Sequence, residues 1–365
     1  MSAGPFDRIS EVPAPPPAVP PMTADDSGAG GRPPAPTEGR TLHQSGAVGF
    51  ARLGRLLRDS GILLALILLV VIGGALSPHF LQTGNILNVL RQVAIVGIIG
   101  VGMTFVILTA GIDLSVGSIV GFVAITAASL MSSGVQWPLA AILAIGAGGL
   151  IGALNGLGIT KGRLQPFIMT LGMLVIARGV TMTYSKGQPI SLGAAGPEFA
   201  WLGGGTFIGL PVPVWLLLVI GAVAGFTLRH TTFGRHVYAV GDNPEAARLS
   251  GINVNRVIFS VYVIAGLCAA VSALIIVSRL TAGEPSQGTG FELDAIAIVV
   301  IGGTSLFGGE GGVRGTLIGA GIVAAMANLL NLLGVSPFSQ QIVKGLIILG
   351  AVLLERRGAR KSGAS

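Results

Sequence analysis

The pattern of apolar and polar positions divides the chain near residue 48. Before that point no apolar run persists. After it, long apolar runs recur with short polar interruptions. The first lies at 61–76. Others follow at about 92–110, 115–132, 138–159, 167–184, 211–228, 257–278, 293–304, 315–334 and 341–354. A hydrocarbon core of about 30 Å takes about 20 helical residues, so these runs predict ten membrane-crossing helices. The eighth, 293–304, is short for a full crossing.

The connecting charges orient the helices. With a cytoplasmic N-terminus, Lys161, Arg163, Arg229, Arg235, Arg248, Arg256 and the C-terminal Arg356, Arg357, Arg360 and Lys361 all fall on the inner side. Only Arg91, Lys186 and Arg279 fall outside. That asymmetry is what membrane insertion selects, and it places both termini in the cytoplasm. The expected organisation is a disordered Pro-rich cytoplasmic tail over 1–48, a transmembrane domain over 49–355 with a cytoplasmic loop at 229–256, and a basic tail over 356–365. The tail holds half of the 20 prolines and too little apolar surface to offset its ordering entropy.

Composition agrees. Of the 365 residues 51% are apolar and 10% charged, against about 25% charged in soluble domains, and mean hydropathy is +0.81. Aromatics, at 5%, are too few for the girdles of an outer-membrane barrel. The fold class expected is an all-α polytopic membrane protein. Cys268 is the sole cysteine, and the four histidines stand singly, so no metal centre is expected. The +7 charge flanks apolar runs and forms no nucleic-acid-binding stripe.

Glycine is the outlier, 58 residues or about twice the usual share. Gly148/Gly152/Gly156, Gly117/Gly121 and Gly315/Gly319 repeat every four residues, a spacing that lets helices approach closely. Ordinary packing within the chain is the expectation for them. A second group marks breaks: Gly111, with freedom for unusual dihedrals, and the stretch 302–315, in which Gly302, Gly303, Gly308 and Gly309 predict broken or re-entrant backbone. None of the four lysines follows a glycine, so no phosphate-binding loop of the Walker type exists. No ATP site and no cofactor is expected in this polypeptide.

Polar residues within apolar runs are candidates for a translocation pathway. They are Asp113, Asn155, Asp294, Ser305, Asn328 and Asn331. Each has a structural alternative. Asp113 would cap the third helix by accepting from the Ser115 or Val116 amide. Asp294, beside Glu292, would be a solvated outer helix end, and the amides would bond between helices. Arg178 and Lys344, near outer helix ends, are expected to snorkel.

The loop 229–256 contains a short helix with both ends marked. Asn243 is an N-cap, Pro244 suits the first helical position, Glu245 meets the positive dipole end, Ala246 and Ala247 favour helix, and Gly251 ends it. So well-punctuated a two-turn helix needs a surface to rest on, either its own membrane bundle or a cytosolic partner.

Glu245-Ala246-Ala247 followed by Gly251 resembles the coupling loop of membrane subunits of ABC importers, without the Leu-Pro that closes that motif. Thr109-Ala110-Gly111-Ile112-Asp113-Leu114-Ser115-Val116-Gly117-Ser118, Val240-Gly241-Asp242-Asn243-Pro244-Glu245 and Glu292-Leu293-Asp294-Ala295 before Gly302-Gly303-Thr304-Ser305 resemble the ribose-type sugar permeases, over about residues 60–355. The resemblance implies a multi-pass subunit of a bacterial inner membrane that carries a monosaccharide such as ribose. It implies a second permease copy or close paralogue, two cytosolic ATP-binding subunits that bind the ATP, and an extracytoplasmic sugar-binding protein. Alternatives are a related permease for branched-chain amino acids or nucleosides, and a proton-coupled transporter using Asp113.

Overall fold

Residues 61–362 are described in a computed structural model of the chain. The expectation for the tail over 1–48 lies outside them. The described chain is helical almost throughout, as its apolar runs require: in lipid, only a helix satisfies its own backbone within a single segment.

The helices in chain order are α1 (Gly61–Leu76), α2 (Thr83–Leu108), α3 (Val116–Ser132), α4 (Trp137–Thr160), α5 (Pro166–Ser185), α6 (Gly196–Gly204), α7 (Val212–His230), α8 (Thr232–Asp242), α9 (Pro244–Leu249), α10 (Val254–Leu280), α11 (Phe291–Ile301), α12 (Val313–Leu332) and α13 (Pro337–Ser362). Six of them, α2, α4, α5, α7, α10 and α12, are long and apolar enough to cross a membrane. The chain is an all-α membrane protein.

Helices α2 and α10 form the core and are buried along most of their length, with α3, α4 and α12 packed around them. The closest packing is between α4 and α10. There Gly148 faces Ala270 and Gly266, Gly152 faces the Tyr262 carbonyl, and Gly156 faces the Phe259 backbone, so this four-residue repeat packs within the chain, as expected. The Gly315/Gly319 repeat does likewise, against Gly302 and Ile298 of α11 and its end. Elsewhere α5 turns Phe167, Ile168, Val175, Ile176 and Val180 outward, an apolar face suited to lipid.

The two ends of the bundle differ. One carries short strands: β1 (Ile190–Ser191) pairs antiparallel with β4 (Ala282–Gly283), and β2 (Thr206–Phe207) pairs with β3 (Leu210–Pro211) through a tight turn at Ile208 and Gly209, both at positive φ. The short α6 lies over this end of α10, where the Gly203 amide donates to Ser278 Oγ at 2.7 Å. The other end carries α8 and α9 and the turns 109–115, 161–165 and 302–312.

Two expectations need correction here. The segment 229–256 holds two helices, because α8 precedes the predicted one. And the break at 109–115 places its positive φ, 58°, on Ala110 rather than on Gly111. Gly111 serves a different need: a Cβ there would stand 2.7 Å from the Tyr262 hydroxyl. In the glycine-rich segment, Gly303, Gly308 and Gly309 do adopt positive φ, whereas Gly302 ends α11 with an ordinary φ of −65°.

Candidate functional site

The α9 helix is built as its sequence dictates. Asn243 Oδ1 accepts from the Glu245 and Ala246 amides, both at 3.0 Å. At the far end Gly251 takes φ 81°, and the Ile252 amide reaches back to the Ala247 carbonyl at 3.0 Å, closing the last turn. Ala247 is buried against the bundle while Leu249 is 83% exposed. Glu245 and Arg248 pair at 2.9 Å on the exposed face. The helix therefore rests on one small side chain and offers a leucine and two charges outward.

Replacing Asn243 with Ala should cost about 1 kcal/mol of helix. Hydrogen exchange at the Glu245 and Ala246 amides should then be about fivefold faster, and unchanged exchange would remove the capping role.

Beneath α9 lies a three-way junction. The Gly309 amide donates to the Leu108 carbonyl at 3.1 Å, tying the glycine-rich turn to the end of α2. Tyr238 of α8 donates its hydroxyl to the Gly311 carbonyl at 2.9 Å, and burial raises that phenol above its usual pKa. A Cβ on Gly241, one residue before the end of α8, would collide with the Leu108 carbonyl and stand 2.6 Å from the Gly309 amide. A Cβ on Gly308 would meet Ala110 and the Gly241 carbonyl. Both predicted backbone breaks thus touch the α8–α9 corner directly. The signal for α8 was present as a Thr231 cap, whose hydroxyl accepts from the Gly234 amide at 3.1 Å, followed by buried Gly234, Val237 and Gly241 at three- and four-residue spacing.

Beside α9 a cleft of about 620 Å³ is lined by Thr160, Arg163, Gln165, Arg248 and Asn255. It is basic and opens at the α8–α9 end.

Asp113 and Asn155 come together, as one network. Asp113 Oδ1 accepts from the Ser115 amide at 2.9 Å and the Ser115 hydroxyl at 2.6 Å. Asn155 Nδ2 donates to Ser115 Oγ at 2.8 Å. The neighbouring Ile112 carbonyl accepts from Thr170 Oγ1 at 3.2 Å. The network joins the 109–115 turn to α4 and α5, and both Asp113 and Asn155 are fully enclosed.

The remaining candidates separate. Asn328 exchanges two hydrogen bonds with Asn85 of α2, at 2.9 and 2.8 Å. Asn331 Oδ1 accepts from Gln340 at 2.8 Å. Ser305 Oγ accepts from the Phe307 amide at 3.2 Å within the glycine-rich turn. Asp294 is no solvated helix end: it is 8% exposed and pairs with Lys344 of α13 at 2.8 Å. Lys344 therefore does not snorkel, because its ammonium gains more from a buried carboxylate than from reaching the surface. Arg178 also turns inward, donating to the Pro285 and Gln287 carbonyls at 2.7 and 3.0 Å. Among the described residues no group of three acids, histidines or cysteines could hold a metal.

Residues 85–352 match the family described as the branched-chain amino acid transport system / permease component. The chain is 46% identical to the ribose import permease protein of Escherichia coli (strain K12) over 303 residues, which cover 82% of this chain and 94% of that protein. It is also 46% identical to the ribose import permease protein of Bacillus subtilis (strain 168), over 88% of this chain and 97% of that one. It is 40% identical to the D-allose transport system permease protein of Escherichia coli (strain K12), over 81% of this chain and 91% of that one. No solved structure matches it.

Proposed function

Because the chain belongs to the family of branched-chain amino acid transport system permease components, we propose that it is the pore-forming subunit of an ATP-driven importer for a monosaccharide, a pentose such as ribose. The observation that carries the solute class is the 46% identity to two ribose import permeases along nearly their whole length. The family's description names branched-chain amino acids, which keeps that solute as the second reading. The lower identity to a D-allose permease favours a pentose.

The chain is a transport subunit and not an enzyme, with a bacterial inner membrane as its location. In this reading ten segments cross, both termini are cytoplasmic, and the α8–α9 end faces the cytosol. Two copies form the path, two separate ATPase subunits bind the ATP, and an extracytoplasmic binding protein delivers the sugar. The domain limits are those expected above: a tail over 1–48, the transmembrane domain over 49–355 and a basic tail over 356–365.

The mechanism follows from the junction. Closure of the ATPase pair would push on Glu245, Arg248 and Leu249. Because α9 has only Ala247 buried, the push passes to its attached corner, Gly241 and Asp242. These press on the end of α2 and on the glycine-rich turn after α11. Non-helical segments are where a helix end can swing without breaking its own ladder. The push would thus close the cytosolic side and open the other. Asp113, Ser115 and Asn155 hold the start of α3 to α4, so α3 and α4 move as one. Asp113, Asn155, Asp294, Ser305, Asn328 and Asn331 are on this reading positioning residues of the pathway's walls.

Glu245→Arg reverses the charge α9 presents and removes its pairing with Arg248. Co-purification of the ATPase subunit with the tagged permease should fall severalfold. Full retention of the ATPase would sink the coupling role of α9.

A further inference from the structure

The connection from α10 to α11 has the composition of a surface loop, yet it lies within the bundle. Helix α11 has 11 residues, about 16 Å, and so covers about half of a hydrocarbon core of about 30 Å. The other half is spanned by residues 284–290. Gly283 packs on the Ala124 carbonyl and Ala128. The Pro285 and Gln287 carbonyls come next to Gly121, and Gly288 packs on the Gly117 carbonyl and Val120. These contacts step back along α3 from its strand end toward its start. Gly288 therefore sits about 22 Å below Ser132, by helical rise.

Non-helical backbone at that depth is tolerated only where it is buried in protein or lines water. One side of this segment meets the first condition. Arg178 Nη1 donates to the Pro285 and Gln287 carbonyls and its Nη2 to the Gly117 carbonyl at 3.3 Å. The Gly290 amide donates to Glu292 Oε1 at 3.2 Å. Gly117 and Gly121 have no side chain because the Glu292 carboxylate and the Arg178 guanidinium occupy that space.

The other side is not covered. Ser286 and Thr289 are exposed and Gln287 is half-buried. A row of hydroxyl and amide groups turned to hydrocarbon would be costly. We propose that residues 284–290 form a non-helical wall of the water-filled translocation pathway, and that Ser286, Gln287 and Thr289 hydrogen-bond the hydroxyls of a passing monosaccharide. Hydroxyl and amide groups suit a neutral polyol, because each donates and accepts without demanding a counter-charge. The proposal rests on the importer reading for the nature of the solute.

The test uses the complete importer, permease with ATPase and binding protein, in liposomes. Cys268, the chain's single and buried cysteine, is replaced by alanine, and Ser286→Cys or Thr289→Cys is added. Both should react with a charged, membrane-impermeant methanethiosulfonate, and D-ribose with its binding protein and ATP should slow the reaction severalfold. Ile176→Cys, on the apolar face of α5, should react only with a lipid-soluble maleimide. In a separate arm Thr289→Val should raise the KM for ribose by about tenfold, the loss of one hydrogen bond, with ATP hydrolysis retained. Reaction of Ser286→Cys and Thr289→Cys with the lipid-soluble reagent alone overturns the proposal, as does an unchanged rate under ribose that is itself being transported. If ribose is not transported while both cysteines still react with the charged reagent, the pathway wall stands and the ribose reading is what fails.

Discussion

Lys344→Met should lower the stability of the permease by about 3 kcal/mol, and adding Asp294→Asn should recover most of that loss. Asp294 is nearly enclosed within the first turn of α11, and its carboxylate meets the ammonium at 2.8 and 3.0 Å. The single substitution leaves a buried charge with no partner, whereas the double substitution leaves a neutral amide beside an apolar chain of similar length. The asymmetry arises because the desolvation of two ions and their mutual attraction nearly cancel, while one ion keeps only the cost. Thermal unfolding of the detergent-purified permease should rank wild type and the double variant together, with Lys344→Met well below. Equal midpoints for Lys344→Met and wild type would show that Asp294 has another partner. The same pair fixes α11 to α13 at its charged turn, while its other end, at Gly302, packs against the Gly315 backbone of α12.

The parts legible from sequence were those encoded locally. Apolar runs long enough to span located the helices, and the α9 helix was readable to its last hydrogen bond because Asn243, Pro244 and Gly251 act within four residues of where they stand. Capping of the α3 start by Asp113 was legible for the same reason, its carboxylate accepting from the Ser115 amide. What could not be read was partnership across the chain. Asp294 and Lys344 are fifty residues apart, and each alone looks like a charge that should reach for water. The packing of segment 284–290 was not legible for a different reason. Its glycines, hydroxyls and Glu284 are what a solvated turn would carry, and hydropathy reports composition without depth. Only Arg178, a cation inside an apolar run, hinted that carbonyls needed a donor there. The Gly117/Gly121 pair shows the same limit, since its spacing is that of helix packing while its neighbours are two charged side chains.

Gly241→Val should abolish transport while leaving the ATPase attached. The position is crowded by backbone: the Leu108 carbonyl and the Gly309 amide both lie within reach of any Cβ, and neither can rotate away as a side chain would. The corner of α8 must then move off the end of α2 or off the glycine-rich turn, at a cost of about 1–3 kcal/mol. That cost falls on the contact through which α9 would drive both breaks. The surface of α9 is untouched, since Glu245, Arg248 and Leu249 point away from the bundle. Co-purification with the ATPase should be unchanged, ATP hydrolysis should no longer respond to the loaded binding protein, and solute uptake should fall at least about tenfold. Gly225→Ala provides the control, because a Cβ there meets nothing within 4 Å and the residue lies mid-helix in α7. Normal uptake by Gly241→Val would mean that the motion reaches the pathway by some route other than this corner. Loss of ATPase binding would mean that α8 belongs to the docking surface itself. Transport lost with docking intact is the outcome that separates a transmitting corner from a binding one.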